Sequence, residues 1–247
     1  MLPCARLHCD GEYNPFIEPV PLLLPLLELS GVIIFIMITR QIILKWLEIY
    51  THIIDQQVDA LNRLDAMLGD GDFGASIQRG LQEVKVRLPS VAERDIGTIL
   101  KTIGLTLISV MGGTSGPLLG TFFIQMSSKA EGKDALSLSE WTEAMQAGVN
   151  GVIARGKAQV GDKTMLDALV PALEALQAAV AQHASLVSAF KRAAEAAKFG
   201  SDETAFLVAR KGRASYLGER GLGNIDPGAA NIYLLMHALF RAIDGGE

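Results

Sequence analysis

The chain has 247 residues, 49% of them hydrophobic and 20% charged, with 22 basic against 27 acidic side chains and a net charge of −5. That length and apolar content exclude a mainly disordered chain and are ample for a packed core, while the acidic balance argues against a nucleic-acid surface, which calls for a basic face. Aromatic residues make up only 6% and strand-length Val/Ile/Thr runs between hairpin turns are missing, so an all-β fold fits poorly and an all-α fold is expected.

The first 36 residues differ from the rest. They hold both cysteines, Cys4 and Cys9, so neither a disulfide framework nor a Cys-based zinc site belongs to the remainder, and a reducing, cytoplasmic setting is expected. Residues 20–38 are nearly apolar and about as long as the roughly 20 residues of a membrane-spanning helix. Against that reading, Pro21 and Pro25 break the first half and Glu28 puts a charge near the middle. The acidic surroundings and the lack of a small-residue cleavage site do not suit a signal peptide. Residues 1–36 are read as an extension upstream of a single domain over 37–247, with a membrane or interface anchor and an unusual helical cap as the alternatives; Met37 makes a sensible start. The extension holds one of the 22 basic and four of the 27 acidic residues, which leaves the domain at −2.

From Thr39 onward, Ile43, Leu47, Tyr50, Ile54, Val58, Leu61 and Leu68 recur every three or four residues, the spacing of an amphipathic helix. Asp65 falls on the same stripe, where an ionisable group is costly unless something pairs with it. Further helices are predicted at 76–87, 95–110, 117–129, 137–155, 164–181, 185–198, 202–211 and 227–243. The interruptions GDGDFGAS, GGTSGPLLG, GKAQVGDKT and KGRASYLGERGLGNIDPGA are richer in glycine and polar residues than helix connections require, and loops of that kind carry function.

Asp65, Asp70 and Asp72 place three carboxylates within eight residues, an oxygen-rich set suited to a hard divalent cation such as Mg²⁺. A calcium EF-hand fails on spacing: twelve positions from Asp70 end on Leu81 with Ala75 at the sixth, and twelve from Asp72 reach Glu83 but put Ile77 where glycine is needed. An Asp/Gly-rich turn that merely ends a helix is the bland alternative. In Gly112-Gly113-Thr114-Ser115-Gly116-Pro117, glycines permit close backbone approach, two hydroxyls are on offer, and Pro117 starts a helix whose free N–H groups face forward. That is a phosphate cradle in kind although no Walker pattern is present, and an ordinary capped loop is the alternative. In Gly161-Asp162-Lys163-Thr164-Met165, Asp162 is expected to cap the next helix, with Thr164 and Met165 in its first turn; Met165 is either a core residue or a soft support for a purine ring. Asp226-Pro227-Gly228 combines an N-cap aspartate with proline at the first helical position, and Arg213 is either a solvated charge or a phosphate-side cation. Their recurrence on one helical scaffold points to a metal and polyphosphate site.

Taken together, LDAMLGDGDFGAS, VMGGTSGPLLGTFF, GDKTMLDAL and GRASYLGERGLGNIDPGAAN closely resemble, in the same order and over essentially all of 37–247, the nucleotide-binding L subunits of dihydroxyacetone kinases. The resemblance implies a barrel of about eight antiparallel amphipathic helices with the nucleotide at one end. It implies that Asp65, Asp70 and Asp72 hold two Mg²⁺ ions bridging a diphosphate, and that Phe73, Gly74, Ala75, Ser76, Gly113, Thr114 and Ser115 line the phosphates. Gly156, Thr164, Met165, Arg213, Asp226, Pro227 and Gly228 complete the ADP/ATP pocket. Phe73 and Asn224 stand where the family usually has histidine, and the four histidines of this chain (His8, His52, His183, His237) lie outside the motif loops.

The resemblance further implies a division of labour. Dihydroxyacetone, or a related ketose such as a tetrulose, is held by a separate K subunit. The donor is either exchangeable ATP or a bound ADP rephosphorylated by a phosphohistidine protein of the phosphotransferase system, with the second favoured here. A homodimer or hetero-oligomer is expected, with no nucleic-acid partner. A nucleotide-binding regulatory module is the competing class, and the intact carboxylate trio favours the enzyme.

Overall fold

Apolar residues spaced by three and four become the inner faces of eight α-helices among the described residues, 37–245, of a computed structural model. The reading of residues 1–36 lies outside the described residues. In chain order the helices are α1 (Arg40–Ala66), α2 (Phe73–Arg87), α3 (Ile96–Val110), α4 (Ser115–Ser127), α5 (Leu138–Gly156), α6 (Leu166–Ala181), α7 (Leu186–Glu203) and α8 (Pro227–Asp244). Two-residue strands β1 (Ile38–Thr39) and β2 (Ala135–Leu136) pair antiparallel. Polar side chains fix several helix starts by accepting otherwise orphaned N–H groups. Thr39 accepts from Ile42, Asp95 from Thr98, Ser185 from Ser188, and Ser137 forms a reciprocal box with Glu140.

The expected all-α class is what the chain adopts. One predicted helix is not present as such: over 202–211, α7 runs on to Glu203, a short 3₁₀ turn covers Thr204–Phe206, and Leu207 is extended. Phe206 and Val208 remain 76% and 38% exposed, so a continued helix there would have no core face to bury. Two other helices begin earlier than expected, α2 at Phe73 and α4 at Ser115, which draws loop residues of both glycine motifs into first helical turns.

Each helix packs against its neighbours in sequence, and α8 returns to pack on α1, so the eight close into a ring. Its interior is filled by Trp46, Tyr50, Phe122, Phe123, Trp141 and Phe190 with a surround of Ile, Leu and Ala. Burying each large side chain of this kind contributes about 1.5–3 kcal/mol. The indole rings of Trp46 and Trp141 meet edge to face at 5.6 Å. Two polar tips are satisfied between α1 and α8, Trp46 Nε1 donating to the Leu235 carbonyl at 2.9 Å and the Tyr50 hydroxyl to Asn231 Oδ1 at 2.7 Å, whereas the buried Trp141 Nε1 has no hydrogen-bond partner among the described residues. No helix among the described residues is long and apolar enough to cross a membrane.

Most connections between sequential neighbours are short and make them antiparallel, and the longer one over 204–226 brings α8 in beside the same end. The turns α1–α2, α3–α4, α5–α6 and α7–α8 therefore gather at one end, and these are the four glycine-rich interruptions. The N-termini of α2, α4, α6 and α8 face the same space, where their exposed N–H groups and dipoles favour an anion.

Candidate functional site

The acidic turn is held from several sides. Asp65 Oδ2 accepts from the backbone N–H groups of Asp72 at 3.0 Å and Phe73 at 3.2 Å, which is how an aspartate on the helix stripe is satisfied. Gly71 adopts φ +78°, a left-handed conformation that favours glycine. Gly74 brings α2 against α1 so closely that a Cβ there would lie 2.2 Å from the Val58 carbonyl oxygen, and Asn62 Oδ1 accepts from Ala75 N–H at 3.1 Å. Oxygens of Asp65, Asp70 and Asp72 consequently lie within 4.8 Å of one another.

Asp70 forms an ion pair with Arg213. Desolvation is the largest influence on the half-buried Asp65 and pushes its pKa up, against the lowering effect of the Asp72 and Phe73 amides, while the charge of Asp70 adds to the rise. At Asp70 a desolvation contribution also pushes upward, but the hydrogen bond and charge of Arg213 outweigh it and hold the carboxyl below its usual range.

Ser76 and Gly112 join the first two loops: the serine Oγ accepts from the glycine N–H at 3.1 Å. Neither α2 nor α4 has a capping side-chain hydrogen bond at its start. At α6 the expected cap is not Asp162. The helix begins at Leu166, too far along for that carboxylate to reach its first amides, and Asp162 Oδ2 instead accepts from Gln159 N–H at 3.0 Å. Asp167, inside the first turn, takes the N–H groups of Gly161 at 2.6 Å and Thr164 at 2.7 Å. At α8 the expected cap holds, with Asp226 accepting from Ala229 N–H at 2.7 Å and Pro227 opening the helix. Burial, chiefly, pushes Asp226 up to about 7; the Ala229 amide opposes it, the Asp167 charge adds to it and Lys163 opposes it.

These pieces surround one cleft of about 290 Å³. Asp65, Asp70, Asp72, Phe73, Ser76, Gly113, Thr114, Ser115, Thr164, Met165, Arg213, Asp226, Pro227 and Gly228 all line it. Gly74 and Ala75 do not: they belong to the face of α2 that packs on α1. Gly156 lines an adjoining cavity of about 400 Å³ with Leu118, Val152, Ala158 and Leu166, which shares Gly113, Thr114, Thr164 and Met165 with the cleft. Phe73 is buried in the core at the first turn of α2, and Asn224 donates to the Leu222 carbonyl at 3.3 Å without lining the cleft.

Sequence reasoning passed over four contributors. Lys163 lines the cleft but is buried, and Lys211 lines both cavities. Asn62 and Asp167 act behind the lining, each holding a loop amide. Lys163 lies within the Gly161–Met165 motif, whose glycine and aspartate were a usable signal; Asn62, one polar residue in a long helix, offered none.

The fold and cleft define a class: a closed helical ring that presents four helix N-termini and a carboxylate cluster at one end. The DAK2 domain matches residues 67–241, and the chain belongs to that family, among the L subunits of dihydroxyacetone kinases. It is 42% identical over 205 residues to the ADP-binding subunit of the PEP-dependent dihydroxyacetone kinase of Escherichia coli (strain K12), covering 83% of this chain and 98% of that protein. It is 36% identical over 207 residues to the ADP-binding subunit of the PTS-dependent dihydroxyacetone kinase of Lactococcus lactis, covering 84% and 100%. Among solved structures, the dihydroxyacetone kinase of C. freundii in complex with AMP-PNP and Mg²⁺ superposes with a TM-score of 0.63 at 28% identity. That match covers 97% of this chain and 38% of the kinase.

Proposed function

We propose that this chain is the nucleotide-binding subunit of a dihydroxyacetone kinase, holding Mg·ADP or Mg·ATP at the four-loop end of the ring. ATP in the site would give its γ-phosphoryl group to dihydroxyacetone carried by a separate sugar-binding K subunit, leaving ADP behind. Bound ADP is then rephosphorylated in place by a phosphohistidine protein of the phosphotransferase system. The observation that carries this reading is the convergence of Asp65, Asp70 and Asp72 with the starts of α2, α4, α6 and α8 in one cleft. The names of the relatives that this chain covers almost fully support the ADP and PEP or PTS parts of it.

The donor set suits the metal: three carboxylates with nearby oxygens, and no described histidine in the lining, are hard ligands of the kind Mg²⁺ takes. When bound there, Mg²⁺ supplies charge neutralisation for the diphosphate and the departing phosphoryl group. The chain's own residues do the positioning. Asp65 is oriented by two backbone amides, the uncapped starts of α2 and α4 offer N–H groups to phosphate oxygens, and Arg213 brings a cation to the carboxylate side. Met165 and the cavity beside Gly156 supply an apolar seat for the base. We assign residues 37–247 to this domain and place it in the cytoplasm, where nucleotide and phosphorylated sugar are found.

Native mass spectrometry of the chain purified without added nucleotide, before and after EDTA, tests this. Retained ADP with two Mg²⁺, released by the chelator, is expected. A chain empty as purified that takes up ATP on addition favours direct use of ATP, and one that binds neither overturns the reading.

A further inference from the structure

The segment from Leu207 to Gly221 passes beside the cleft and carries Lys211 and Arg213. It is fastened along its length: Arg210 N–H donates to the Asp162 carbonyl at 3.0 Å, just beyond it Gly223 N–H donates to the Ala205 carbonyl at 2.8 Å, and Ala209, Ala214 and Leu217 pack with Leu68. One side chain joins its two ends. Lys163 Nζ donates to the Leu207 carbonyl at 3.2 Å and to the Gly221 carbonyl at 2.8 Å.

Lys163 is an expensive residue in this place. It is 1% exposed, and a buried ammonium is costly unless its donors are satisfied. Its backbone sits at φ +60°, a region that side-chain-bearing residues seldom occupy. The start of α6 does not need it, since Asp167 already holds the loop amides there. Most of its donor capacity is committed within the protein, since two of the three ammonium protons go to carbonyls. What its side chain contributes is a tie between the ends of the strap themselves, reinforcing the Gly223–Ala205 backbone bond just outside them, while Arg213, with its side chain 63% exposed, ion-pairs with Asp70.

We propose that Lys163 is a positioning residue of the nucleotide site: by bonding both ends of the 207–221 strap it holds Arg213 beside the Asp70 carboxylate, ready for the phosphates of a nucleoside diphosphate or triphosphate. This rests on reading the cleft as a metal–nucleotide site. A strap fixed before binding spares the ligand the entropy of ordering it.

The test is a double-mutant cycle on the 247-residue chain, with Mg·ADP affinity read by titration calorimetry beside amide hydrogen exchange of 207–221 without nucleotide. Lys163→Met fills similar space without charge or donors. It is expected to speed exchange across the strap while α3 to α5 keep their protection, and to weaken Mg·ADP by about tenfold. Arg213→Ala weakens it too, and the double variant is expected to stay within about threefold of the more damaging single, since a loosened strap has already lost Arg213. Lys163→Gln, which keeps one donor group, falls between wild type and Met and serves if the Met variant does not fold. Losses that multiply, or unchanged strap exchange, overturn the proposal: a lysine with a merely structural role lowers Tm without coupling to Arg213. A wild-type chain that takes up no Mg·ADP overturns the cleft reading and the Lys163 role together, whereas failure of the Lys163 role alone leaves wild-type binding intact.

Discussion

The hydroxyl of Ser76 accepts the backbone N–H of Gly112 at 3.1 Å, joining two loops 36 residues apart in the chain. Ser76 is in the first turns of α2 behind the acidic turn, and Gly112 opens the loop before α4. The bond therefore sets the spacing between the carboxylates and the Thr114–Ser115 helix start. Ser76→Ala removes the acceptor and leaves the part-buried amide unpaired, a loss of about 1 kcal/mol. Faster hydrogen exchange at Gly112, together with weaker Mg·ADP binding, is the expected result; an unchanged exchange rate there would show that the bond does not hold the loop.

Asp70 and Asp65 are expected to separate binding from folding. Asp70 is exposed and its ties are to Arg213, so Asp70→Asn leaves Tm nearly unchanged. Its effect on Mg·ADP affinity should exceed the roughly 10–100-fold that even an outer-shell change costs a metal site. Asp65→Ala strikes both properties, because the amides of Asp72 and Phe73 lose their acceptor, at about 1–3 kcal/mol. Calorimetric binding and thermal melts of the two variants, side by side, check the contrast, and equal Tm losses would refute it.

Glycines of the same motif family are expected to differ sharply. A Cβ at Gly74 would lie 2.2 Å from the Val58 carbonyl oxygen and 2.9 Å from Asn62 Oδ1. Gly74→Ala must therefore push α2 off α1, and overpacking of this kind costs about 1–3 kcal/mol. At Gly112 a Cβ meets nothing within 4 Å, and Gly112→Ala should change stability by less than about 0.5 kcal/mol. Urea unfolding of both variants measures the difference.

The ring was readable in the sequence because each helix that builds it has an inner apolar face at regular spacing, and because Asp95, Ser137, Ser185 and Asp226 mark helix starts by a local hydrogen bond. The four loops were readable as glycine-rich interruptions; that they share one end follows from alternating helix direction. The stretch 202–211 misled because an apolar run, Ala205 to Ala209, following Asp202 reads as a short helix, and only the fold shows that Phe206 and Val208 have no core opposite them. Asp162 misled for a related reason: a Gly-Asp before an apolar run reads as a cap, but the left-handed turn at Lys163 delays the helix to Leu166, and Asp167 in its first turn reaches back to the loop amides of Gly161 and Thr164. Asn62 escaped notice because its partner is a backbone group on another helix, which no local pattern records; the loop of Lys163 was marked by its glycine and aspartate, but its partners, 44 and 58 residues further on, were not.

Asp226 should make stability depend on pH in a direction opposite to that of an ordinary paired carboxylate. Its pKa rises from 3.8 to about 7 on folding, so the folded chain binds this proton more tightly than the unfolded one. The resulting stabilisation is fully present below pH 3.8, drains as pH climbs, and is gone above about 7. Across that window each pH unit removes at most about 1.4 kcal/mol. Asp226→Asn keeps an oxygen for the Ala229 N–H and abolishes the titration. It also removes the charge facing Lys163, so the comparison is one of slopes, not of absolute stabilities. Urea midpoints measured at intervals from about pH 4 to pH 8 are expected to fall more steeply in the wild type than in the variant. Parallel curves would mean that Asp226 is ionised throughout, stabilised by Lys163 and the helix start more strongly than burial penalises it.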